Sequence, residues 1–476
     1  MNNSDLIGRK DSKERLLKLL ESKKSEFLAV YGRRRVGKTF LIKEYFQYQF
    51  DFFMSGMANA TTPQQLFNFD AELSRQSSLV FNTPSSNWMI AFQRLREHLE
   101  SKTKDGKLVI FIDELPWMQT HRSDFLMALE HFWNTWATHR KDVLLIVCGS
   151  AASWMLTEVI NSTGGLHNRV TSQMKIEPFN LGEAEELLLS KGCQLDRYQI
   201  IQLYLCLGGI PYYLDAVEPG KSAAQNIQGL FFEKGGLLRN EFHNLYRALF
   251  KRHEVYEKVV QILSAKTYGM SRTEIIQVAG LQSGGTITKV LEDLEESGFI
   301  TSYPSLDRKQ KKISYRLSDY YTAFYFRFLQ RPQSSNWLQL NDQPIHRAWQ
   351  GITFEQVCMD HVQQIKKALG ISGIQAEHAA WRGMAEHKGA QIDLLIDRRD
   401  HVITICECKF QLDSFSISKD YADQLRSKIS VFKEVSRTKK AIHLVIVSTY
   451  GLKRNSYSDL LVQNEVTMDA LFEKLP

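Results

Sequence analysis

No apolar stretch of this sequence approaches the roughly 18 residues that a membrane-spanning helix needs, so no membrane association is expected. The N-terminus, Met1-Asn2-Asn3-Ser4-Asp5, has no apolar run behind it and does not read as a secretory signal. The six cysteines, Cys148, Cys193, Cys206, Cys358, Cys406 and Cys408, stand singly except for Cys406-Glu407-Cys408. C-x-x-C pairs and Cys/His clusters of zinc spacing are missing, so the expectation is reduced, mostly buried thiols in a cytoplasmic protein. Low-complexity tracts and internal repeats are missing too, which leaves ordinary folded domains. At 476 residues the chain has room for two to four of them. Its 43% hydrophobic and 24% charged content suits packed cores. A net charge of +7 permits an acidic partner without requiring one.

What is present is organised around Tyr31-Gly32-Arg33-Arg34-Arg35-Val36-Gly37-Lys38-Thr39. The apolar run Phe27-Leu28-Ala29-Val30 precedes it, and the helix-like Phe40 to Phe46 follows. Strand, tight turn and helix start are the context that G-x-x-x-x-G-K-T requires. The glycines let successive N–H groups face one concavity, and the helix start adds its positive end. Lys38 then reaches the β- and γ-phosphates of ATP, and the Thr39 hydroxyl can ligate Mg²⁺. The run Leu108-Val109-Ile110-Phe111-Ile112 is a second buried strand, delivering Asp113 and Glu114 at its end. Asp113 is the candidate Mg²⁺ residue, and Glu114 the candidate base for the attacking water. Val143 to Cys148 forms a third strand, expected between the other two, with Ser150 after it as a candidate sensor of the γ-phosphate. Phe125, Phe132, Trp133 and Trp136 recur at helical spacing and are expected to pack.

Together these residues resemble the archaeal and bacterial P-loop ATPases of the STAND/AAA-related class, over about residues 5 to 240. Gly8-Arg9, G-R-R-R-V-G-K-T, F-I-D-E-L and the strand ending C-G-S carry the resemblance, with Asn168-Arg169 and Gly208-Gly209-Ile210-Pro211-Tyr212-Tyr213 further on. The resemblance implies that the G-G-x-P-x-Y element, with Pro211, belongs to a lid approaching the nucleotide. It also implies that Arg169 stabilises charge on the γ-phosphate, the alternative being a salt-bridged surface arginine. An ATPase core with a helical lid is expected over residues 1–245.

Residues 246–335 read as three short helices and a hairpin, a winged helix-turn-helix followed by an aromatic connector. The hairpin tip, Asp307 to Lys312, places Arg308, Lys309, Lys311 and Lys312 as candidate phosphate contacts on DNA. The third helix shows Lys289 among Glu292, Asp293, Glu295 and Glu296, which argues against deep groove insertion. Docking to protein or within the chain remains the alternative. The connector, Asp319 to Phe328, is dense in aromatics and is expected to pack between domains.

A third domain is expected over residues 344–476. Gly389 to Ile396 and Val402 to Lys409 read as a strand pair in which Asp393 can meet Glu407, with Lys409 on the same face as Glu407. Two carboxylates and a lysine are the parts of a metal-dependent phosphodiesterase. The pattern resembles the PD-(D/E)xK nuclease superfamily, a restriction-endonuclease-like α/β fold, with Ile392 where the name-giving proline would stand. The resemblance implies catalytic roles for Asp393, Glu407 and Lys409 and a further metal ligand in Glu355. Tyr421 and Gln424 resemble an ancillary motif. A buried Glu–Lys ion pair without catalysis is the alternative. The expected protein is thus an α/β ATPase acting on DNA, with a Mg²⁺-dependent nuclease-like rear domain under nucleotide control. Its rival is an ATP-switched DNA-binding regulator or signalling scaffold with a silent nuclease fold. Either is compatible with a homo-oligomer or a protein partner.

Overall fold

The apolar run ahead of the phosphate loop is strand β1 (Glu26–Tyr31), buried at every position. The computed structural model describes residues 6–77, 81, 83–121, 123–162, 164, 166, 168–266, 269–304, 313–330, 336–341, 343–385 and 388–475. Four more strands join β1: β2 (Phe52–Ser55), β3 (Leu108–Asp113), β4 (Val143–Gly149) and β5 (Ser172–Lys175). They form one sheet of order β2-β3-β4-β1-β5 in which every pairing is parallel. β3 and β4 are also buried throughout, as strands covered on both faces must be. The placement of β4 between β1 and β3 agrees with the sequence reading. It brings Tyr31 beside Gly149, and Ile112 beside Val147, so the motif residues leave the sheet at one edge. The aromatics at helical spacing lie on the helix Phe125–Thr135 and just beyond it. All of them enter the core, where Trp133 meets Phe27 at 5.0 Å between ring centroids.

The chain divides into two compact units, residues 1–178 and 179–476. The helical segment after Phe179 packs within the second unit, so the boundary expected near residue 245 falls inside that unit. Aromatic packing is the physical reason. The Tyr321 hydroxyl donates to the Leu238 carbonyl at 2.9 Å. Phe324 touches Phe231 at 4.6 Å, Trp337 at 5.3 Å and Trp349 at 5.5 Å. The connector therefore packs, as its composition implied, joining the helices before it to the helix Pro344–Asp360 after it. His361 adds a polar clamp. Its Nε2 accepts the Leu181 N–H at 3.0 Å, and its Nδ1–H donates to the Val357 carbonyl at 2.8 Å. Burial lowers its pKa to about 4, so the ring is neutral and can do both.

Within the second unit, the helices His253–Ser264, Arg272–Ala279 and Gly285–Glu296 accompany an antiparallel sheet of order β6-β8-β7. Its strands are β6 (Met270–Ser271), β7 (Ile300–Pro304) and β8 (Ile313–Leu317). Ser271 and Glu274 close a capping box at the second helix. The expected basic tip, with Arg308, Lys309, Lys311 and Lys312, lies outside the described residues. The third helix departs from expectation in one respect. Asp293 faces inward and accepts the Tyr256 hydroxyl at 2.6 Å, while Glu295 accepts the Ser302 N–H at 3.0 Å. Both acids serve packing rather than forming an open acidic face.

The rest of the unit holds β9 (Ala376–Ala385), β10 (Lys388–Arg398), β11 (Val402–Lys409), β12 (Phe415–Ser416), β13 (Ala441–Ser448), β14 (Leu452–Lys453) and β15 (Asn464–Thr467). β9, β10 and β11 pair antiparallel, while β11, β13 and β15 run parallel in the order β15-β13-β11-β10-β9. The parallel pairing of β11 with β13 needs a crossover, supplied by the helix Lys419–Ser436. β12 and β14 form a separate parallel pair.

Gly209, in the expected lid motif, cannot carry a side chain: a Cβ there would stand 1.7 Å from the Phe179 carbonyl oxygen. Gly209→Ala is therefore expected to destabilise the chain by about 3 kcal/mol or more, through forced backbone displacement. Gly229, with nothing within 4 Å of an added Cβ, is the control, and its alanine variant should stay within about 1 kcal/mol of the parent. Urea unfolding of both variants measures the difference.

Candidate functional site: a phosphate loop and a second charge cluster

The loop between β1 and the helix Lys38–Tyr45 has the backbone that its glycines predict. Gly32 has φ 138°, and a Cβ there would meet the Ile176 carbonyl oxygen at 2.5 Å. Gly37, at φ 86°, is the N-cap of the helix. Arg35 also takes a positive φ of 72°. Val36 is fully buried, Arg33 nearly so, and Arg34 and Arg35 half-buried. Lys38 folds back across the loop, donating to the carbonyls of Gly32 at 3.0 Å and Arg33 at 2.9 Å. Burial lowers its pKa, while Cys148, Glu114 and Asp113 nearby favour its charge. An incoming anion would therefore meet a cation already stripped of water.

Thr39 and Asp113 come together as the sequence reading proposed: the hydroxyl donates to Asp113 Oδ2 at 2.9 Å. A hydroxyl and a carboxylate in contact form a donor set suited to Mg²⁺. Glu114 follows in the left-handed region, φ 48° and ψ 47°, a conformation costing a non-glycine residue about 1–2 kcal/mol. That turn carries its carboxylate away from Asp113 and towards β4. Ser150 Oγ donates to Glu114 Oε2 at 2.9 Å. Burial, and then the charge of Asp113, raise the pKa of Glu114, while the Ser150 hydrogen bond opposes them. Ser150 thus holds the candidate base, a different contact from the phosphate sensing read from the sequence. Arg169 is exposed on the turn before β5. Pro211 belongs to the second unit, at the first position of the short helix Pro211–Leu214.

Arg9 is the residue that sequence reasoning undervalued. It takes a left-handed conformation at the start of the helix Lys10–Glu21 and donates to the carbonyl of Val36 at 2.9 Å. It also bonds the Glu177 carbonyl, tying the phosphate loop to the chain beyond β5. Only the Gly8-Arg9 pair signalled it.

Residues 7–217 match a protein family described as an ATPase domain predominantly from Archaea. The front of the chain accordingly matches an ATPase domain and has the α/β fold with a parallel sheet found in Walker-type ATPases. The Walker-type ATPase PABY2304 of Pyrococcus abyssi is similar in structure, with 15% identity and a TM-score of 0.50, covering 68% of this chain and 97% of that one. The ORC2 protein of Aeropyrum pernix, solved as ADPNP-ADP complexes, has 14% identity and a TM-score of 0.43, covering 75% of this chain and 96% of its own. An uncharacterized protein of Methanocaldococcus jannaschii is 23% identical over 429 residues, 88% of this chain and 91% of its own length.

The second cluster of charges lies at the ends of β10 and β11. Their register pairs Leu394 with Cys406, which sets Asp393 and Glu407 at the same end, as the hairpin reading expected. Asp393 Oδ2 accepts the Cys408 N–H at 3.0 Å. Glu407 is almost fully buried and takes three partners: Lys409 at 3.0 Å, Lys428 at 2.7 Å and the Tyr421 hydroxyl at 2.5 Å. Among the described residues, no group of three or more His, Cys, Asp or Glu is arranged to hold a metal ion. Glu355, Asp393 and Glu407, the ligand set expected from the sequence, are not grouped in that way, and two lysines and a tyrosine bond Glu407. Lys428 was missed in the sequence. It lies seven residues beyond Tyr421 on one helix face, the spacing that could have revealed it.

Electrostatics separates the three acids. Lys409 and Lys428 outweigh burial at Glu407 and hold its pKa below the ordinary range. Burial, with the charge of Glu407, pushes Asp393 up to about 6. Burial, with Asp393, pushes Glu355 up to about 8 from its ordinary 4.5. A carboxyl with a raised pKa holds its proton longer in the folded chain than in the unfolded one. The contribution of Glu355 to stability therefore falls as pH rises from about 4.5 to 8. Glu355→Gln, which stays neutral, is expected to flatten that decline while changing the melting temperature little at pH 4.5. Thermal melts of parent and variant from pH 4.5 to 8.5 test the sign.

Proposed function

We propose that the chain binds and hydrolyses ATP in its first unit and uses the nucleotide state to control how the second unit engages DNA. The contact between Thr39 and Asp113, beside Lys38 and the Ser150-held Glu114, carries this reading. Each group has one task. Loop N–H groups and Lys38 receive the phosphates. Thr39 and Asp113 would hold Mg²⁺, which when bound neutralises charge on the phosphate oxygens. Glu114 orients and polarises the attacking water, and its raised pKa makes it a better proton acceptor than a surface carboxylate. Arg169 and Pro211 keep the roles that the family resemblance gives them, at the γ-phosphate and in the lid.

Lys38→Ala is expected to lower ATP affinity by a hundredfold or more, since the triphosphate loses its point-charge partner. Glu114→Gln should keep ATP bound and cut phosphate release by about a thousandfold, the scale on which one catalytic group acts. Calorimetry and a phosphate-release assay score the two. Turnover by Glu114→Gln at the parental rate would remove Glu114 as the base.

For the second unit the reading is a winged helix followed by a nuclease-like fold that handles DNA. Three helices with a small antiparallel sheet support the former, and the mixed sheet with a crossover helix supports the latter. Arg308, Lys309, Lys311 and Lys312 are the proposed phosphate contacts. The carboxylates of the rear sheet do not fit a metal ion while Glu407 is paired to Lys409 and Lys428, so no hydrolytic step is assigned to them. On this reading Mn²⁺ leaves the thermal melt of the chain unchanged in the absence of nucleotide, and Asp393→Ala affects stability rather than DNA cleavage. A Mn²⁺-dependent melt that Asp393→Ala abolishes, together with cutting of DNA, would restore the metal nuclease in place of the regulator.

A further inference from the structure

Arg316 sits on β8, opposite Thr301, with only 9% of its surface exposed. Among the described residues its guanidinium has no hydrogen bond and no ion pair. Its charge acts on Asp360 and Glu355, while the hydrogen bonds that Asp319 and Asp360 accept come from other groups. Asp319 accepts from the backbone and hydroxyl of Thr322, and Asp360 from Tyr320 and Gln356. A buried arginine in this position is expensive unless something outside the protein completes it.

What lies beside it is a cavity of about 560 Å³. Lys266 and Arg327 stand exposed at the cavity, Ser318 adds a hydroxyl, and the largely buried Tyr320 and Trp349 supply apolar and aromatic wall. The volume is that of a site for one small organic molecule. Two exposed cations beside one buried fork suit a multiply charged oxyanion such as phosphate, because the planar guanidinium binds two oxygens at once and the flanking cations meet the remaining charge. Aromatic walls offer a flat base or ring a surface.

We propose that this cavity binds a phosphorylated small molecule of mononucleotide size, with Arg316 on the phosphate and Lys266 and Arg327 at the mouth. The site is formed by the three-helix region, the aromatic connector and the helix Pro344–Asp360, so its occupant would join the proposed DNA-handling parts of the second unit. It is separate from the phosphate loop and does not depend on ATP hydrolysis.

The test uses the full chain carrying Lys38→Ala, so that the phosphate loop contributes nothing, titrated by calorimetry with AMP, GMP, CMP and UMP and separately with inorganic phosphate. Saturable one-to-one binding of at least one mononucleotide, tighter than inorganic phosphate, is expected. Adding Arg316→Met should weaken it at least tenfold, and adding Lys266→Ala should weaken it less. Arg316→Met should melt no lower than its parent without ligand, because the guanidinium it removes makes no hydrogen bond among the described residues. Absence of mononucleotide binding overturns the proposal, as does binding unchanged by Arg316→Met. A ligand-free melt lowered by several degrees would show that the charge is already compensated within the fold, and would overturn it too. Tighter binding of a short oligonucleotide than of any mononucleotide would replace the small molecule with nucleic acid.

Discussion

The position of β4 between β1 and β3 is the constraint on which the front unit depends. Because the three strands run parallel and are buried on both faces, their ends emerge together. Tyr31 leads into the phosphate loop, Asp113 and Glu114 follow β3, and Ser150 follows β4. No local sequence rule brings Ser150 to Glu114; the order of the sheet does. The left-handed backbone at Glu114 then turns its carboxylate towards β4 and leaves Asp113 to Thr39. Two adjacent carboxylates thereby receive different partners.

The second unit is governed by another interaction, the burial of aromatic rings around Phe324. Rings from the helical segment, the connector and the helix Pro344–Asp360 converge there. This burial stabilises an arrangement in which three regions that read as separate domains share packing. The neutral His361 clamp depends on the same exclusion of water, since a hydrated imidazole would not stay neutral at mildly acid pH. One consequence is that substitutions in the connector should disturb both the helical segment before it and the helix Pro344–Asp360 after it.

The two charge clusters illustrate how similar residue types acquire different chemistry. At the phosphate loop, Lys38 bonds, among the described residues, the carbonyl oxygens of its own loop, so an anion can displace those contacts at small cost. At the rear sheet, Lys409 and Lys428 bond a buried carboxylate, and breaking that arrangement would leave Glu407 uncompensated. A cation poised for a ligand and a cation spent on a structural pair look alike in sequence. Arg316 belongs with the first kind, which is why its cavity stands out.

Much of the ATPase core was legible in the sequence, for a physical reason. Strands buried on both faces must be continuous apolar runs, and a phosphate loop must have glycines where a Cβ or a negative φ would close it. Those are local demands, answered by Gly32, Gly37, Lys38 and Thr39 in one short run and by Asp113 and Glu114 at the end of another. The placement of Asp393 and Glu407 at one end of their strand pair was legible too, because strand period and a short turn fix it. What only the tertiary structure decided involves partners far apart along the chain: Arg9 on the Val36 carbonyl, Ser150 on Glu114, Lys428 on Glu407. Such contacts depend on which helix crosses which strand, and a residue's own neighbours in sequence carry no record of that. The acids of the third helix show the same limit, since Asp293 reads as a surface charge until Tyr256 is found packed against it.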